Sequence, residues 1–546
     1  MLETWTEAQL AEIGLRRDGE AVTIDIPADA NIFSMTLGRQ LGPEGADRPA
    51  MLFERPDGRL ETWSFAQIDA AATTLAAHLR GLGYGRGDLV GLHTGMRPET
   101  AIGHMAVCKL GGTAVTLSQL YGSDALAHAL NDCEARCLLT TEAAWANLRD
   151  EAGRFGYLTD ILVSESAGTE PDLRAILDSA APPGFEPDYT GPDDPALLMY
   201  TSGSTGMAKG ILHGHRILAA YRPSINLFYN LSLQDAVFWS PSDWAWVGGL
   251  LDMMMPAWLA GRPIVTSEAR FTAEWAYEFM ARYKVTHVFL APTAVKRLAQ
   301  TAQPRDSHDL SLRVICTGGE ALAADTLVWA EDRLGVVCNE FYGMTEVNHL
   351  IGNCSRLYPR RPGSMGVAYP GHDVRLVDAE GIEVADGEPG EIVTPATSPT
   401  RFLGYLNNAG KEAELRLGDW LRTHDLAVRD ADGYFWYKGR SDDLIKSSGF
   451  RIGPTEIEEC LLSHPAVAEA GVIGKPDAQR GTIVKAFVRL ASGFIGDASL
   501  TEELRAHVRN KLASYKAPRE IDYVDEFPMT SSGKINRKAL RQAEGN

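Results

Sequence analysis

The sequence predicts an α/β protein. It would have a large amino-terminal domain of α/β layers with a β-rich subdomain, and a small α+β carboxy-terminal domain. The chain has 546 residues, which is too long for one ordinary core. It is 45% hydrophobic and 23% charged, as is typical of globular proteins. From about residue 88 to residue 345, short apolar runs alternate with amphipathic stretches, a pattern typical of parallel α/β layers.

Within that region the apolar runs predict buried strands, and the amphipathic stretches predict helices between them. The predicted strands are residues 89–93, 196–200, 236–240, 285–290, 312–317 and 336–341. The predicted helices are residues 99–110, 294–300 and 321–333.

The pattern changes after residue 366. Residues 366–437 contain short apolar runs with Gly, Asp and Pro between them, which predicts a β-rich meander. Beyond residue 440 the signals are mixed, with helices at 454–462 and 502–512 and strands at 468–473 and 484–490. We therefore predict a first domain over 1–439 and a small second domain over 440–546.

Charge and cysteine content limit the partners and the compartment. The net charge of −20 argues against binding to nucleic acid. The seven cysteines form no complete metal motif and indicate buried thiols in a reducing compartment. Neither a signal peptide nor a membrane span is visible, so we expect a cytoplasmic protein. The oligomeric state is left open, a homodimer included.

Three polar, Gly-rich segments each begin where a predicted strand ends, at residues 201–210, 317–320 and 342–346. Ligands of open α/β sheets bind outside the carboxyl ends of the strands, so the three segments could converge on one ligand. The first is rich in hydroxyls and glycines and suits a polyphosphate. It lacks the spacing of a Walker A loop, and a flexible Gly/Ser loop is the alternative. Its candidate phosphate-binding residues are Thr201, Ser202, Gly203, Ser204, Thr205, Gly206 and Lys209.

This loop resembles the phosphate-binding motif of the adenylate-forming, or AMP-binding, superfamily. Four further segments resemble the motifs of that superfamily in the same order, at residues 341–346, 418–425, 439–446 and 532–535. Residues 242–248 and 448–453 are most similar to acetyl-CoA and medium-chain acyl-CoA synthetases. The resemblance covers the chain from about residue 50 to the end.

The resemblance implies a reaction in two steps. A carboxylate attacks the α-phosphate of MgATP to give acyl-AMP and pyrophosphate, and the thiol of coenzyme A then forms the thioester. ATP, Mg²⁺ and CoA are the implied cofactor and co-substrates. No protein nucleophile is needed, so catalysis would be positioning and charge stabilisation.

The resemblance also implies a role for each matching residue. Tyr342 would stack on adenine, and Thr345 would contact the α-phosphate. The resemblance makes Glu346 the Mg²⁺ ligand, assisted by Thr205, and Lys534 the catalytic lysine. The other implied contacts are Gly319 and Glu320 beside adenine, Asp425 at the ribose, Arg440 and Arg451 at ribose or phosphate, Asp442 as hinge of a mobile carboxy-terminal domain, and Gly449 in the CoA channel.

Four of these residues also have a simpler interpretation. Tyr342 could be a core aromatic, and Glu346 an acid at a helix N-terminus. Asp425 could be a turn residue, and Lys534 part of a solvated basic helix face. The sequence departs from the family pattern at Ala208, which replaces a proline, and at His424, which replaces a glycine and leaves the ribose site in doubt.

The acyl pocket is expected at Trp246, Val247, Gly248, Gly318 and Gly343. Acetate-specific relatives have a tryptophan at the position of Gly343. The three glycines therefore predict open volume and an acid larger than acetate: medium-chain, branched or cyclic. The alternatives are an acetate or propionate ligase, an enzyme that loads a carrier-protein thiol, and a non-catalytic nucleotide-binding protein.

Overall fold

The computed structural model describes residues 2, 4–201, 208–300, 304–319, 324–441, 443–447, 450–477, 481–529 and 535–544. Of residues 324, 325, 446, 450, 451 and 481 it describes the backbone alone. The chain forms two compact units. Unit 1 comprises residues 1–201, 207–374 and 395–419, and unit 2 contains residues 375–394 and 420–546. The boundary predicted at residue 440 stays a prediction.

The first sheet of unit 1 has a parallel interior and an antiparallel edge. Its strands, in spatial order, are Gly404–Tyr405, Lys209–Gly214, Pro195–Thr201, Thr113–Thr116, Leu89–His93, Cys137–Thr141 and Asp160–Ser164. The last five pair in parallel, whereas Lys209–Gly214 pairs antiparallel with both of its neighbours. Leu198, Leu130 and Trp145 belong to the apolar core against this sheet.

The second sheet of unit 1 is built in the same way. In spatial order its strands are Val367–Ala368, Asn348–Gly352, Val337–Met344, Val314–Gly318, His287–Phe289, Phe238–Trp239, Ile264–Ser267, Pro49–Glu54 and Leu60–Ser64. The interior pairs are parallel, and Val337–Met344 pairs antiparallel with Asn348–Gly352. Trp239, Phe279 and Ile315 lie in its apolar core.

Helices pack between and around these sheets. The helices of unit 1 are Glu7–Glu12, Ile32–Met35, Phe65–Gly81, Pro98–Lys109, Ser123–Asp132, Glu142–Trp145, Leu173–Leu177, Arg216–Phe228, Val247–Gly249, Met255–Leu259, Ala273–Arg282, Pro292–Ala299, Pro304–Ser307, Ala324–Leu334 and Ala409–Glu414, with a π-helical turn at Leu250–Met254. The start of Phe65–Gly81 shows how local sequence fixes these bounds. Ser64 and Gln67 each accept the other's backbone N–H, which satisfies two donors that a helix start leaves unpaired.

Unit 2 is an antiparallel sheet followed by an α+β fold. The sheet contains Arg375–Val377, Pro389–Pro395, Trp420–Arg429 and Phe435–Arg440. A hairpin of Ile445–Ser447 and Phe450–Ile452 follows, then a sheet of Val467–Asp477, Gly481–Leu490 and Glu520–Tyr523. The helices are Pro454–Leu462, Ala498–Lys511 and Arg537–Ala543. Ile457, Val472 and Leu504 are among the residues of the common core.

The predicted fold class is confirmed, with one difference at the candidate site. The segments at 201–210 and 342–346 were expected as loops after parallel strands. The described ends of the first segment, Thr201 and Lys209–Gly210, lie in antiparallel strands, and Tyr342, Gly343 and Met344 of the third are still part of a strand. All seven cysteines are buried free thiols, as predicted. None of the helices in the described ranges has the length and apolar character needed to cross a membrane.

Candidate active site

Thr345 and Glu346 lie at the tip of a tight hairpin in unit 1. The strand Val337–Met344 turns through residues 345–347 and returns as Asn348–Gly352, with Met344 opposite Asn348. Asn348 has φ 60°, in the left-handed region that asparagine tolerates better than most residues. Its side chain accepts the Tyr221 hydroxyl at 2.9 Å and donates to the carbonyl of Thr400 at 2.8 Å. The turn is therefore held from both sides, and Glu346 is not at a helix N-terminus.

Lys209 begins the strand Lys209–Gly214, the second strand from the edge of the first sheet, and lies opposite Thr201. The pairing brings the two ends of the predicted phosphate loop together. Ser202, Gly203, Ser204, Thr205 and Gly206 lie outside the described residues. The strand Gly404–Tyr405 covers the outer edge of Lys209–Gly214, and its neighbours Leu403 and Leu406 donate backbone hydrogen bonds to Leu212 and Gly210 at 2.7 and 2.8 Å.

Tyr405 connects these two features. Its hydroxyl donates to Glu346 Oε1 at 2.6 Å, and its ring centroid lies 5.3 Å from Lys209 Nζ. The backbone N–H of Phe402 donates to the Glu346 carbonyl at 2.8 Å. Unit 1 thus holds a carboxylate and an ammonium group against one tyrosine, at the positions that sequence analysis assigns to Mg²⁺ and phosphate binding.

Gly318 and Gly319 lie at the carboxyl end of the strand Val314–Gly318. This strand is parallel to Val337–Met344, so the two strands end on the same side of the second sheet. Gly318 is buried, and Gly319 is exposed with φ 90°, where a side chain would be strained. Tyr342 is partly buried on the neighbouring strand. Glu320 lies outside the described residues.

In unit 2, Asp425 lies inside the strand Trp420–Arg429 and not in a turn. It is 7% exposed, its Oδ1 accepts the Tyr437 hydroxyl at 3.0 Å, and Arg440 Nη1 lies 3.8 Å from the same oxygen. Burial, and then the Asp425 carboxylate, raise the pKa of Tyr437 well above its ordinary value, so the hydroxyl keeps its proton and stays a donor. A buried carboxylate needs such partners, and these fix its orientation.

The backbone conformation and the contacts of His424 show how it replaces the glycine of the family pattern. Its φ is 60°, a conformation that glycine adopts without strain and other residues rarely adopt. The His424 N–H donates to Glu391 Oε1 at 2.9 Å, and the imidazole Nδ1 lies 3.6 Å from the same oxygen. Arg422 binds Glu391 through two nitrogens, so the carboxylate that holds His424 is itself fixed in place. The backbone next to Asp425 keeps the geometry that a glycine would give.

The expectation of open volume at the three acyl-pocket glycines is wrong. A Cβ at Gly248 would lie 2.4 Å from the Phe289 ring, and one at Gly318 would lie 2.7 Å from the Phe341 ring. At Gly343 it would lie 2.1 Å from the carbonyl oxygen of Asn348, because a bulge in the strand brings the two backbones together. The space next to each glycine is filled by an aromatic ring or by backbone. The run Met253–Met255 is fully buried.

Trp246 and Val247 remain partly buried at the start of the short helix Val247–Gly249. Tyr121 packs edge-on to Trp246 with centroids 6.2 Å apart, and its hydroxyl donates to the carbonyl of Tyr200 at 3.3 Å. The preceding Asp243 accepts the Ser118 hydroxyl at 2.5 Å, and burial raises its pKa. Tyr121 thus joins the Trp246 segment to the strand that leads into the phosphate loop, and Ser118 fixes the same segment just beyond the neighbouring strand Thr113–Thr116.

For the remaining predicted residues, the structure describes no side chain that could be placed in either cluster. Arg451 is described by its backbone alone, opposite Lys446 in the hairpin of unit 2. Asp442, Gly449 and Lys534 lie outside the described residues. The helix that follows Lys534 is not a solvated basic face, because Arg537 and Arg541 both bind Asp443.

Two models of known protein families match this chain. The model of the AMP-binding enzymes matches residues 39–406, more than half of the chain. The chain belongs to the AMP-binding enzymes. A second model, the C-terminal domain of AMP-binding enzymes, matches residues 456–534 of this AMP-binding enzyme.

Individual relatives agree over nearly the whole length. The mitochondrial acyl-coenzyme A synthetase ACSM4 of Homo sapiens is 31% identical, over 99% of this chain and 95% of its own. The acetyl-coenzyme A synthetase of Bacillus subtilis (strain 168) is 32% identical, over 91% of this chain and 87% of its own. The crystal structure of the anthranilate CoA ligase AuaEII in complex with anthranoyl-AMP has a TM-score of 0.85 and 30% identity, over 95% of this chain and 98% of that one. The predicted resemblance to the acyl-CoA synthetases is confirmed, and with it the prediction that the chain is an enzyme.

Sequence reasoning missed Tyr405 and Tyr437, which hold the two candidate carboxylates. Tyr437 pairs with Ala427 in the strand next to Asp425, so the β-rich meander contained a signal, but the register was needed to use it. Tyr405 is separated from Glu346 by 59 positions, and no local pattern connects them.

Proposed function

We propose that this AMP-binding enzyme is an ATP-dependent acyl-CoA synthetase for a carboxylic acid larger than acetate. The acid would be medium-chain, branched or cyclic, and would react through acyl-AMP to acyl-CoA with release of AMP and pyrophosphate. The observation that carries the size of the acid is that residue 343 is a glycine, so no side chain narrows an acyl pocket there, although the neighbouring space is not open. At the position where the family resemblance gives acetate enzymes a wall tryptophan, this chain has no side chain and no room for one.

Each cluster, taken within its own unit, suits one part of a nucleotide. Lys209 supplies positive charge for phosphate groups, and Asp425 with Arg440 supplies acceptors and donors for the ribose. Tyr342 is partly buried at the strand end where adenine would stack. Charges fixed in this way act by positioning and by stabilising charge that develops at the α-phosphate.

Glu346 fits a Mg²⁺ role. Mg²⁺ is usually bound by one or two carboxylates together with substrate phosphates, and it keeps several waters. The described residues contain no group of three or more His, Cys, Asp or Glu that could hold a metal ion. A single carboxylate, with one oxygen already bound by Tyr405, is consistent with a cation shared with the nucleotide. When bound, Mg²⁺ would neutralise phosphate charge.

The relatives support the ligase class and cover a range of acids. One acts on acetate by its name and another on anthranilate, an aromatic acid. Phe289 and Phe341, each at least 92% buried, fill the spaces next to Gly248 and Gly318. An apolar, aromatic wall favours a hydrocarbon chain or ring over a two-carbon acid.

A pyrophosphate-release assay with a panel of acids, with and without CoA, tests the proposal. The panel contains acetate, propionate, hexanoate, octanoate, cyclohexanecarboxylate and benzoate, and mass spectrometry identifies the thioester. Each buried methylene contributes about 0.8 kcal/mol, so two of them favour the larger acid about tenfold in kcat/KM. We expect at least that preference over acetate, with acyl-CoA formed only when CoA is present.

Two outcomes would replace the proposal. Preference for acetate or propionate would make the chain a short-acid ligase. Acyl-AMP formation without transfer to CoA would favour the loading of a carrier-protein thiol. A cytoplasmic location and the movement about Asp442 stay predictions.

A further inference from the structure

We propose that Tyr405 is a positioning residue of the nucleotide site, which aims the Glu346 carboxylate and holds Lys209 beside it. The proposal rests on the nucleotide binding in the proposed function, but not on the identity of the acid. Tyr405 belongs to none of the motifs that the sequence offers.

The geometry around Tyr405 is closely specified. It is 9% exposed, its hydroxyl is 2.6 Å from Glu346 Oε1, and Phe402 packs edge-on against its ring at 5.0 Å. Tyr405 lies opposite Ile211, two residues beyond Lys209 on the paired strand. The backbone bonds from Leu403 and Leu406 to that strand fix where the ring can stand.

The hydroxyl can act on Glu346 in two ways. A hydrogen bond to a carboxylate is stronger than one between neutral groups, so it limits the rotation of the Glu346 side chain. It engages Oε1, which makes Oε2 the oxygen that we propose for the cation. Partners that hold metal-binding carboxylates typically change metal affinity by about 10- to 100-fold when removed.

The ring acts on Lys209. A cation within about 6 Å of an aromatic centroid is attracted to the ring face. At 5.3 Å, Lys209 Nζ satisfies this condition. The Tyr405 side chain thus sets the distance between the Glu346 carboxylate and the Lys209 ammonium group, which come from different sheets of unit 1.

Tyr405→Phe separates the two actions, because it removes the hydroxyl and keeps the ring. We expect Mn²⁺ affinity, measured by electron paramagnetic resonance in the presence of ATP, to fall about 10- to 100-fold. The Mg²⁺ concentration for half-maximal pyrophosphate release should rise by a similar factor. Binding of ATP without metal, measured by calorimetry, should change less than threefold.

Tyr283→Phe is the matched control, since its hydroxyl also donates to a glutamate carboxylate, that of Glu54, outside the candidate site. It should leave Mn²⁺ affinity unchanged. A general loss of packing would instead lower ATP binding and metal binding together.

A double-variant cycle gives a second, independent measurement. If Tyr405 acts through Glu346, then adding Tyr405→Phe to Glu346→Gln produces no further loss of Mn²⁺ affinity. Unchanged metal affinity in Tyr405→Phe, or fully additive losses in the double variant, would overturn the proposal. The Mn²⁺ and ATP binding measurements, unlike pyrophosphate release, contain no carboxylic acid or CoA, so a failure of the proposed ligase activity would be seen separately.

Discussion

At the scale of single residues, the candidate site depends on side chains that hold charged groups in place. Asp425 is oriented by Tyr437 and Arg440, and Glu346 by Tyr405. His424 keeps a strained conformation beside Asp425 with the help of Glu391. Prearranged charges of this kind need little reorganisation when charge develops during a reaction.

Lys534 should matter to acyl-AMP formation far more than to thioester formation. The family resemblance places it at the α-phosphate and the carboxylate during the first step, where a cation stabilises the transition state more than the ground state. We expect Lys534→Ala to lower the rate of acyl-AMP formation by about 10²- to 10³-fold. Supplied acyl-AMP should still be converted to acyl-CoA. Both half-reactions can be followed by chromatography.

Lys538→Ala is the control, because it removes a neighbouring positive charge from the same basic run. It should leave both half-reactions close to wild type. An equal loss of the two half-reactions in Lys534→Ala would remove the assigned role.

At the scale of helices and strands, the carboxy-terminal helix Arg537–Ala543 is fixed to the helix Pro454–Leu462 by a partly buried ion pair. Arg537 binds both oxygens of Glu458, at 2.5 and 3.0 Å, and Glu458 also accepts the N–H of Val472 at 2.8 Å. Burial opposes the charge on Arg537, but Glu458 and then Asp443 raise its pKa above the ordinary value. The helix that follows the Lys534 segment therefore has a rigid support.

Glu458→Gln should loosen this helix. It leaves the partly buried Arg537 with the longer pair to Asp443, at 3.4 Å, as its ion pair among the described residues, which we expect to cost roughly 2–3 kcal/mol. Hydrogen exchange read by mass spectrometry should show faster exchange over residues 537–543. Glu456→Gln on the same helix is the control, since the more exposed pair with Lys516 contributes about 1 kcal/mol or less. Equal exchange in the two variants would mean that apolar packing, and not the ion pair, holds the helix.

Some strands and helices could be predicted from the sequence, and others could not. The runs at 89–93 and 454–462 agree with the observed strand Leu89–His93 and helix Pro454–Leu462, because strong apolar patterns specify local structure. The antiparallel pairing at Lys209 and at Glu346 was not predicted, since strand direction depends on neighbours that are distant in the chain. The motif positions of Lys209, Glu346 and Asp425 could be predicted, but their tyrosine partners could not.

The glycines show the opposite failure. A small residue at a presumed wall was interpreted as open space, whereas Phe289 and Phe341 occupy that space beside Gly248 and Gly318. Sequence gives the size of a residue but not the position of the ring that packs on it.

At the scale of the whole molecule, buried histidines should determine stability in weak acid. Burial lowers the pKa of six histidines of unit 1 to about 4 for His93, His213, His215 and His287 and to about 3 for His104 and His372. The folded state keeps these groups neutral, whereas the unfolded state binds protons below about pH 6.5. Stability is therefore complete above pH 6.5 and falls as the pH decreases toward 4.

Each of these histidines contributes a slope of about 1.4 kcal/mol per pH unit in that window. We expect the thermal midpoint to be nearly constant from pH 8 to pH 7 and to fall steeply below pH 6.5. His104→Leu, which replaces a fully buried imidazole, should make the fall shallower. A midpoint that does not change between pH 7 and pH 5 would contradict this account.

The close contact at Gly343 limits the mutations that this lineage can accept. Since the carbonyl of Asn348 occupies the place of a Cβ, substitution at codon 343 requires the hairpin itself to move. Under the proposed function, selection for a different acid, in nature or in a directed-evolution library, would meet less resistance at Phe289 and Phe341, whose rings lie beside Gly248 and Gly318. At those two positions the side chain can change size without placing an atom against the Asn348 carbonyl.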